Sequence, residues 1–389
     1  MNSPLNKPLN SPLLSDAEVI ERVFSHIDNG TTDEGDLLWQ EPTSNYHSQE
    51  RLEAELQLMR QVPTVFCPSA ALPDPGSYVA RSAAGTPLVV VRGSDGTVRG
   101  FRNACRHRGM QVAQGSGCAK VLVCNYHGWA YRLDGKLSHI PHDRGFPQVN
   151  KEDFSLVPVT VEERHGLVFV TQDEPVGRGT LENLFDLISP EQELFEASEK
   201  IDDVNWKLNA EATLEGYHIK PTHPETFYPY GYDNLTVVEL FGLNSRVTFP
   251  FRRIEKLREV PPEERRIDGL VTYTYQLYPN VTVAVLSSHT SISIAEPLTP
   301  TRTRFITYRL TNRDSGDHSD TPEQKLARAK RDSSFVAEQG LKEDQAAVQA
   351  IQLGLQSGAN EYFTYGRFET GIAHFHKTLT DGLSKLNSV

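Results

Sequence analysis

Two cysteine–histidine pairs constrain this chain more than any other feature. Cys105 and His107 form C-x-H, Cys124 and His127 form C-x-x-H, and sixteen residues separate His107 from Cys124. Two thiolates and two imidazoles on paired loops make a metal site, and both zinc and a [2Fe–2S] cluster accept that donor set. Each pair runs into glycine, as His107-Arg108-Gly109 and His127-Gly128-Trp129, so backbone N–H groups can approach bridging sulfides. In a cluster with two imidazoles on one iron, each loop would give one ligand to each iron. The remaining cysteines, Cys67 and Cys118, read as ordinary small buried or loop residues. Four cysteines are too few for an extracellular disulfide framework in 389 residues, so a reducing, cytoplasmic setting is expected.

The pairs lie in a β-rich stretch. Between residues 61 and 172, short runs such as Pro87–Arg92, Val98–Asn103 and Leu167–Thr171 alternate with Gly-, Pro- and Asp-containing turns, which predicts a small all-β domain. Residues 1–15, rich in Pro, Asn and Ser, are expected to be a disordered tail. Residues 16–60 carry two helices, the first capped by Ser15 with Val19, Ile20, Val23 and Phe24 on one face. Residues 173–389 are mixed. A loose helix over Leu181–Phe195, a helix from Trp206 to about Ile219, six strand-like runs between Val237 and Leu310, a long helix from Thr321 to about Leu355 and a last one over Ile372–Leu386 predict an α+β domain. No stretch approaches the ~20 apolar residues of a membrane span. The formal net charge of −12 argues against a nucleic-acid partner.

The second half holds its own candidate metal site in NWKLNAEATLEGYHIKPTHPETF. Glu215 and His218 stand at i and i+3, and His223 follows beyond Pro221, which is expected to break the helix and fold His223 back toward His218. Two neutral imidazoles and one carboxylate form the facial triad of non-haem Fe(II) enzymes. Asp332, Glu343, Asp344, Glu361 and Glu369 are the carboxylates to weigh. Asp344 shares a helical stripe with Val348, Ile351 and Leu355, which places it toward the core, whereas its neighbour Glu343 is expected to face solvent.

The strings C-R-H-R-G and C-x-Y-H-G-W strongly resemble the Rieske domain of Rieske non-haem iron oxygenases, with Asn125 where the family usually has Pro. The blocks N-W-K-L…E-G-Y-H…T-H-P and E-D-x-x-x-V-x-x-x-Q-x-G-L-x-S resemble the same family's catalytic domain. Tyr46-His47-Ser48 with Glu53 is similar to its first helix, and Gly76-Ser77-Tyr78 to its first Rieske strand. The resemblance implies an N-terminal all-β Rieske domain holding the [2Fe–2S] cluster on Cys105, His107, Cys124 and His127. It implies a C-terminal helix-grip-like domain, an antiparallel sheet with long helices, holding mononuclear Fe(II) on His218, His223 and Asp344. Glu215 would be the acid that bridges an iron-ligating His to a cluster-ligating His of a neighbouring subunit, with Glu where many members have Asp.

That resemblance makes the chain the α component of a terminal oxygenase using O2 and electrons that come ultimately from NAD(P)H through a flavin reductase, a ferredoxin or both. It implies a homotrimer, with a small β subunit also occurring in the family. The expected substrate is an aromatic ring, with Phe227, Tyr228, Tyr230, Tyr232, Phe241, Phe249 and Phe251 lining an apolar pocket. The alternative is demethylation or cleavage of a quaternary or methylated amine held in an aromatic cage. Arg252, Arg253 and Lys256 would then be able to face a substrate carboxylate, although cations near a strand end more often form a solvated edge. A lone electron carrier with no second iron, or a zinc-site structural protein, would leave the His pair and Asp344 without a role.

Overall fold

The structure is a computed structural model that describes residues 13–36, 38–312, 320–338 and 340–386, leaving the side chains of 340 and 341 undescribed. Most of the expected N-terminal tail, residues 1–12, lies outside the described residues. The chain forms two compact units, Leu56–Arg178 and the combination of Met1–Glu55 with Gly179–Val389.

The smaller unit is all β. Its seven-stranded sheet includes the antiparallel trio Ser77–Ala83, Thr86–Arg92 and Val98–Arg102, and a three-stranded sheet is built from Leu122–Val123, Ala130–Tyr131 and Leu137–His139. Four strands escape sequence reading: Thr64–Pro68, Gly115–Cys118, Leu137–His139 and Pro158–Arg164. Gly115–Cys118 is Gly-Ser-Gly-Cys and wholly exposed, so nothing in its composition favours a strand; pairing with Ser77–Ala80 makes it one. Val89, Val91, Trp129 and Tyr131 form the core, from which Cys105 and Cys124 also project.

In the larger unit, helix α1 (Asp16–Asn29) is closed by a capping box of Ser15 and Glu18 and buries Val19, Ile20, Val23 and Phe24 against Val237, Ile254 and Val271. Ahead of it, the Leu14 N–H donates to Glu239 Oε1 at 2.7 Å, so residues 13–15 of the expected tail are anchored. Helix α2 (Gln49–Gln61) crosses the boundary between the units. Helix α3 (Trp206–Ala212), a single turn α4 (Ile219–Thr222), helices α5 (Pro322–Glu338) and α6 (Gly340–Gly354), and the terminal α7 (Thr370–Leu386) complete the helical complement among the described residues.

The sheet here is antiparallel and seven-stranded. Its order is Leu194–Asp202, Arg302–Thr311, His289–Thr299, Val281–Val285, Val271–Leu277, Asn244–Pro250, Val237–Phe241. The loose helix expected over Leu181–Phe195 is a short turn, Gly179–Glu182, followed by the edge strand Leu194–Asp202. Eight pairings with Arg302–Thr311 make that strand, and such long-range partners leave no local signal. The single helix expected from Thr321 to Leu355 is two helices, α5 and α6.

Side chains alternate along each strand, so the sheet has two distinct faces. One face bears on α1. On the other, a Cβ built on Gly371 of α7 would meet the Leu214 carbonyl at 2.8 Å and Val247 Cγ2 at 3.5 Å, so only glycine lets α7, the segment before Glu215 and the sheet approach this closely. His289, on that same face, donates through Nδ1–H to the Asp332 carboxylate of α5 at 2.9 Å. Asp332, weighed above as a ligand, is thus committed to holding α5 on the sheet.

A buried ion pair fixes α3. Lys207 and Glu55 are both essentially inaccessible, with Nζ 2.9 Å from Oε1, and Trp206 Nε1–H donates to Glu55 Oε2 at 2.7 Å. Burial works against the Glu55 charge, but Lys207 and Arg51 overcome it and hold the carboxyl below its usual range. Lys207→Met leaves this buried carboxylate with Arg51 as its remaining cation, and up to about 3–5 kcal/mol of stability should be lost in denaturant titration. Because the folded-state pKa is depressed, the pair stabilises above the unfolded-state pKa, and its contribution disappears as pH falls through the folded-state one.

Candidate metal centres

Two loops of matching geometry carry the Cys–His pairs. The Cys105 N–H donates to Met110 O at 2.8 Å and the Gly109 N–H to Cys105 O at 2.8 Å; the Cys124 N–H donates to Trp129 O at 2.8 Å and the Gly128 N–H to Cys124 O at 2.9 Å. Gly109 and Gly128 take left-handed φ values of 79° and 73°. The second loop therefore closes as tightly as the first although Asn125 replaces a proline. Both thiols are buried, and Tyr131 Oη lies 3.2 Å from Cys105 Sγ while accepting the Arg106 N–H at 2.9 Å.

The imidazoles stand nearer the surface. Their ring centroids are 4.7 Å apart, and His107 stacks on Trp129 at 5.0 Å with a 7° interplanar angle. His107 Nδ1 is buried without a hydrogen-bond partner, as a nitrogen reserved for a metal would be. Burial, then His127 and Arg108, hold His107 below its ordinary pKa, so the ring is neutral and able to ligate. Two buried thiols and two imidazoles on matching loops are the donor set of a cluster with two thiolates on one iron and two imidazoles on the other. Cys67 and Cys118 take no part: the first is fully buried with its thiol pushed up to about 12 by burial, and the second is exposed.

The convergent set is His218, His223 and Asp344. Asp344 Oδ1 lies 2.8 Å from His223 Nε2 and 3.5 Å from His218 Nε2, and the two rings are 5.3 Å apart at 66°. The helix expected to carry Glu215 and His218 ends at Ala212 instead. Glu215 sits in the following turn, where its carboxylate accepts the backbone N–H of Tyr217 and of His218 and receives His218 Nδ1 on its other oxygen. A side chain that satisfies backbone donors itself competes with the helix, which is why the i,i+3 contact forms without helical geometry. Pro221 lies within α4 rather than breaking a longer helix, and α4 returns His223 to full burial.

The remaining carboxylates are accounted for. Glu369 accepts the Gly366 N–H at 2.6 Å, and Glu361 is exposed. Glu343 keeps 34% of its side chain exposed, as expected, while its Oε2 lies 2.7 Å from His223 Nδ1 and accepts from Thr226 Oγ1 at 2.5 Å. The apolar stripe that pointed to Asp344 is only partly a core stripe, since Val348 is buried while Ile351 is 44% exposed.

Without a metal, protons occupy this site. Burial works against charge on His218, but hydrogen bonds to Asp344 and Glu215 raise it to about 10; His223 is raised in the same way, with Asp344 the leading cause against burial. A divalent ion must displace those protons, so its apparent affinity should rise with pH through neutrality toward about 10 and fall below it. Proton release measured on adding metal to the chelator-treated protein checks this.

The aromatic residues after the His pair do not form one wall. Phe227 lies tilted against His223 with ring centroids 4.8 Å apart, whereas Tyr228 and Tyr232 flank Arg252 at 5.3 and 5.1 Å, and Phe241 packs on Phe185 at 5.7 Å. Arg253 binds Ser287 Oγ at 2.9 Å and the Gly269 carbonyl. Instead, the sheet face turned to α5 and α7 carries Ser245, Gln276, Thr282, Ser293 and Thr307 in one register row across five strands. Ser245 Oγ is buried with no partner. The row had no sequence signal because it exists only once register is known.

The family described as "Ring hydroxylating alpha subunit (catalytic domain)" matches residues 191–385, and the "Rieske [2Fe-2S] domain" matches residues 62–151. Among curated relatives, the carnitine monooxygenase oxygenase subunit of Acinetobacter baumannii is 32% identical over 199 residues, 49% of this chain and 54% of its own length. The benzene 1,2-dioxygenase α subunit of Pseudomonas putida is 40% identical over 102 residues, 26% of this chain and 23% of its own. The match thus spans about half the length of the first of these relatives. A solved quaternary ammonium Rieske monooxygenase shares the fold with a TM-score of 0.73 at 22% identity, covering 96% of this chain and 99% of that one.

Proposed function

We propose, for a chain that belongs to the ring-hydroxylating α-subunit family of Rieske oxygenases, that it is a terminal oxygenase acting on a small, polar methylated amine. Cys105, His107, Cys124 and His127 would hold the [2Fe–2S] cluster, and His218, His223 and Asp344 the mononuclear Fe(II). When bound, the cluster supplies single electrons and the Fe(II) supplies O2 activation. The protein's own part is positional. Cys105 and Cys124 are anchored by the paired loop hydrogen bonds, and His107 is set by stacking on Trp129. Glu215 would bridge His218 to a cluster-ligating His of a neighbouring subunit. Its two oxygens already serve His218 and two backbone N–H groups, yet a carboxylate has about four lone-pair directions, which leaves capacity for a further donor. That bridge implies an oligomer, for which we infer a homotrimer, and a separate flavin reductase or ferredoxin as electron donor.

The observation that carries the substrate class is the hydroxyl and amide row Ser245–Gln276–Thr282–Ser293–Thr307 on the sheet face covered by the helices. Within the row Thr282 Oγ1 donates to Gln276 Oε1 and Gln276 Nε2 to Pro279 O, whereas Ser245 Oγ is buried without a partner, and a hydrocarbon against it would leave that hydroxyl unpaired at a cost of roughly 1–3 kcal/mol. A substrate with a carboxylate or hydroxyl beside its ammonium group would supply the partner. The similarity to carnitine monooxygenase supports the same reading. The aromatic-ring reading is kept by Phe227 at His223 and by the likeness to benzene dioxygenase. Incubation of the iron-loaded protein with reductant, O2 and panels of quaternary amines and aromatic acids separates them: an aldehyde with a shortened amine is expected, and a hydroxylated or cis-diol ring product would overturn the amine reading.

A further inference from the structure

His223 is gripped on both ring nitrogens by consecutive residues of α6. Asp344 Oδ1 meets Nε2 at 2.8 Å, and Glu343 Oε2 meets Nδ1 at 2.7 Å. The ring is completely buried, so each nitrogen takes its partner from the protein. Thr226 Oγ1 donates to the same Glu343 oxygen at 2.5 Å, fixing the carboxylate from the side opposite α6. Glu343 lies on the far side of the ring from His218, and it is therefore placed to orient the ring rather than to join the convergent set.

We propose that Glu343 is the positioning residue of this metal site: its carboxylate accepts a hydrogen bond from His223 Nδ1–H and so directs the Nε2 lone pair toward the point shared with His218 and Asp344. A neutral imidazole carries one N–H, and whichever nitrogen holds it cannot ligate. A carboxylate on Nδ1 selects the useful tautomer, stops the ring rotating, and makes Nε2 a stronger donor. Thr226 is the outer part of the same device. Sequence spacing hides the relation, because residues 223 and 343 come together only through the packing of α4 against α6.

The proposal rests on the reading that His218, His223 and Asp344 hold a divalent metal, and its test distinguishes the two. The full-length protein, with its labile metal removed and its cluster oxidised, is titrated with Mn(II), and free ion is read by electron paramagnetic resonance. Glu343→Ala should weaken binding by roughly 10–100-fold. Glu343→Gln, whose amide oxygen accepts the same N–H, should recover most of the loss, and Thr226→Val should fall between. If Asp344→Ala abolishes binding while Glu343→Ala binds as wild type, the positioning role is overturned and the metal reading stands. If Asp344→Ala also binds as wild type, the underlying reading falls. Equal losses in the Ala and Gln variants would overturn the role as well, since hydrogen-bond acceptance would not be what matters. Should Glu343→Ala fail to fold, Thr226→Val reads the same contact, and unchanged affinity there overturns it.

Discussion

Asp344→Ala should leave a protein with its cluster spectrum intact and its oxygenation gone. Asp344 is the sole carboxylate in the convergent set, contacting His223 Nε2 at 2.8 Å and His218 Nε2 at 3.5 Å. If the three residues hold the ion as proposed, removing Asp344 takes away one of three protein donors, so the loss should exceed the roughly 10–100-fold that follows from deleting an outer hydrogen-bond partner of a ligand. Burial works against charge on Asp344, but its hydrogen bonds to the two imidazoles hold its carboxyl below the usual range, so the residue is an anion ready to bind metal at any working pH. Iron analysis should show about one iron fewer per chain, with sulfide unchanged. Retained turnover with full iron would exclude Asp344 as a ligand.

Glu215→Gln should separate the two centres functionally without emptying either. Gln keeps an oxygen for the Tyr217 and His218 N–H groups, so the turn that presents His218 survives. What disappears is the negative charge facing His218 Nδ1 and the capacity to receive a second histidine. Iron and sulfide contents should match wild type and the cluster should still be reduced by the donor, while coupled oxygenation falls on the order of 100-fold. Wild-type turnover in this variant would remove Glu215 from the path between centres; a loss of iron would make it a structural support of His218 instead.

Much of this site was legible because its determinants are local. The Cys–His pairs and their glycines lie within five or six residues of one another, and the loops they predict have the hydrogen bonds such loops need. Ser15 and Glu18 announced the start of α1 for the same reason. What escaped depends on pairings that no window of sequence contains. The strand Leu194–Asp202 exists through Arg302–Thr311, and the polar row exists through the register of five strands. Periodicity pointed to Asp344 and set Glu343 on a solvated face but gave no sign that both meet one histidine, since adjacent helical residues point about 100° apart. The aromatic residues after His223 share a stretch of chain, yet packing sends Tyr228 and Tyr232 to Arg252 and Phe241 to Phe185.

The central claim is that one chain carries a two-metal cluster and a separate mononuclear site. Iron, zinc and acid-labile sulfide, counted together on protein reconstituted without oxygen, test it most directly. The account predicts about three irons and two sulfides per chain, with negligible zinc. Two irons and two sulfides would leave His218, His223 and Asp344 without a metal and reduce the chain to an electron carrier, and zinc without sulfide would contradict both centres.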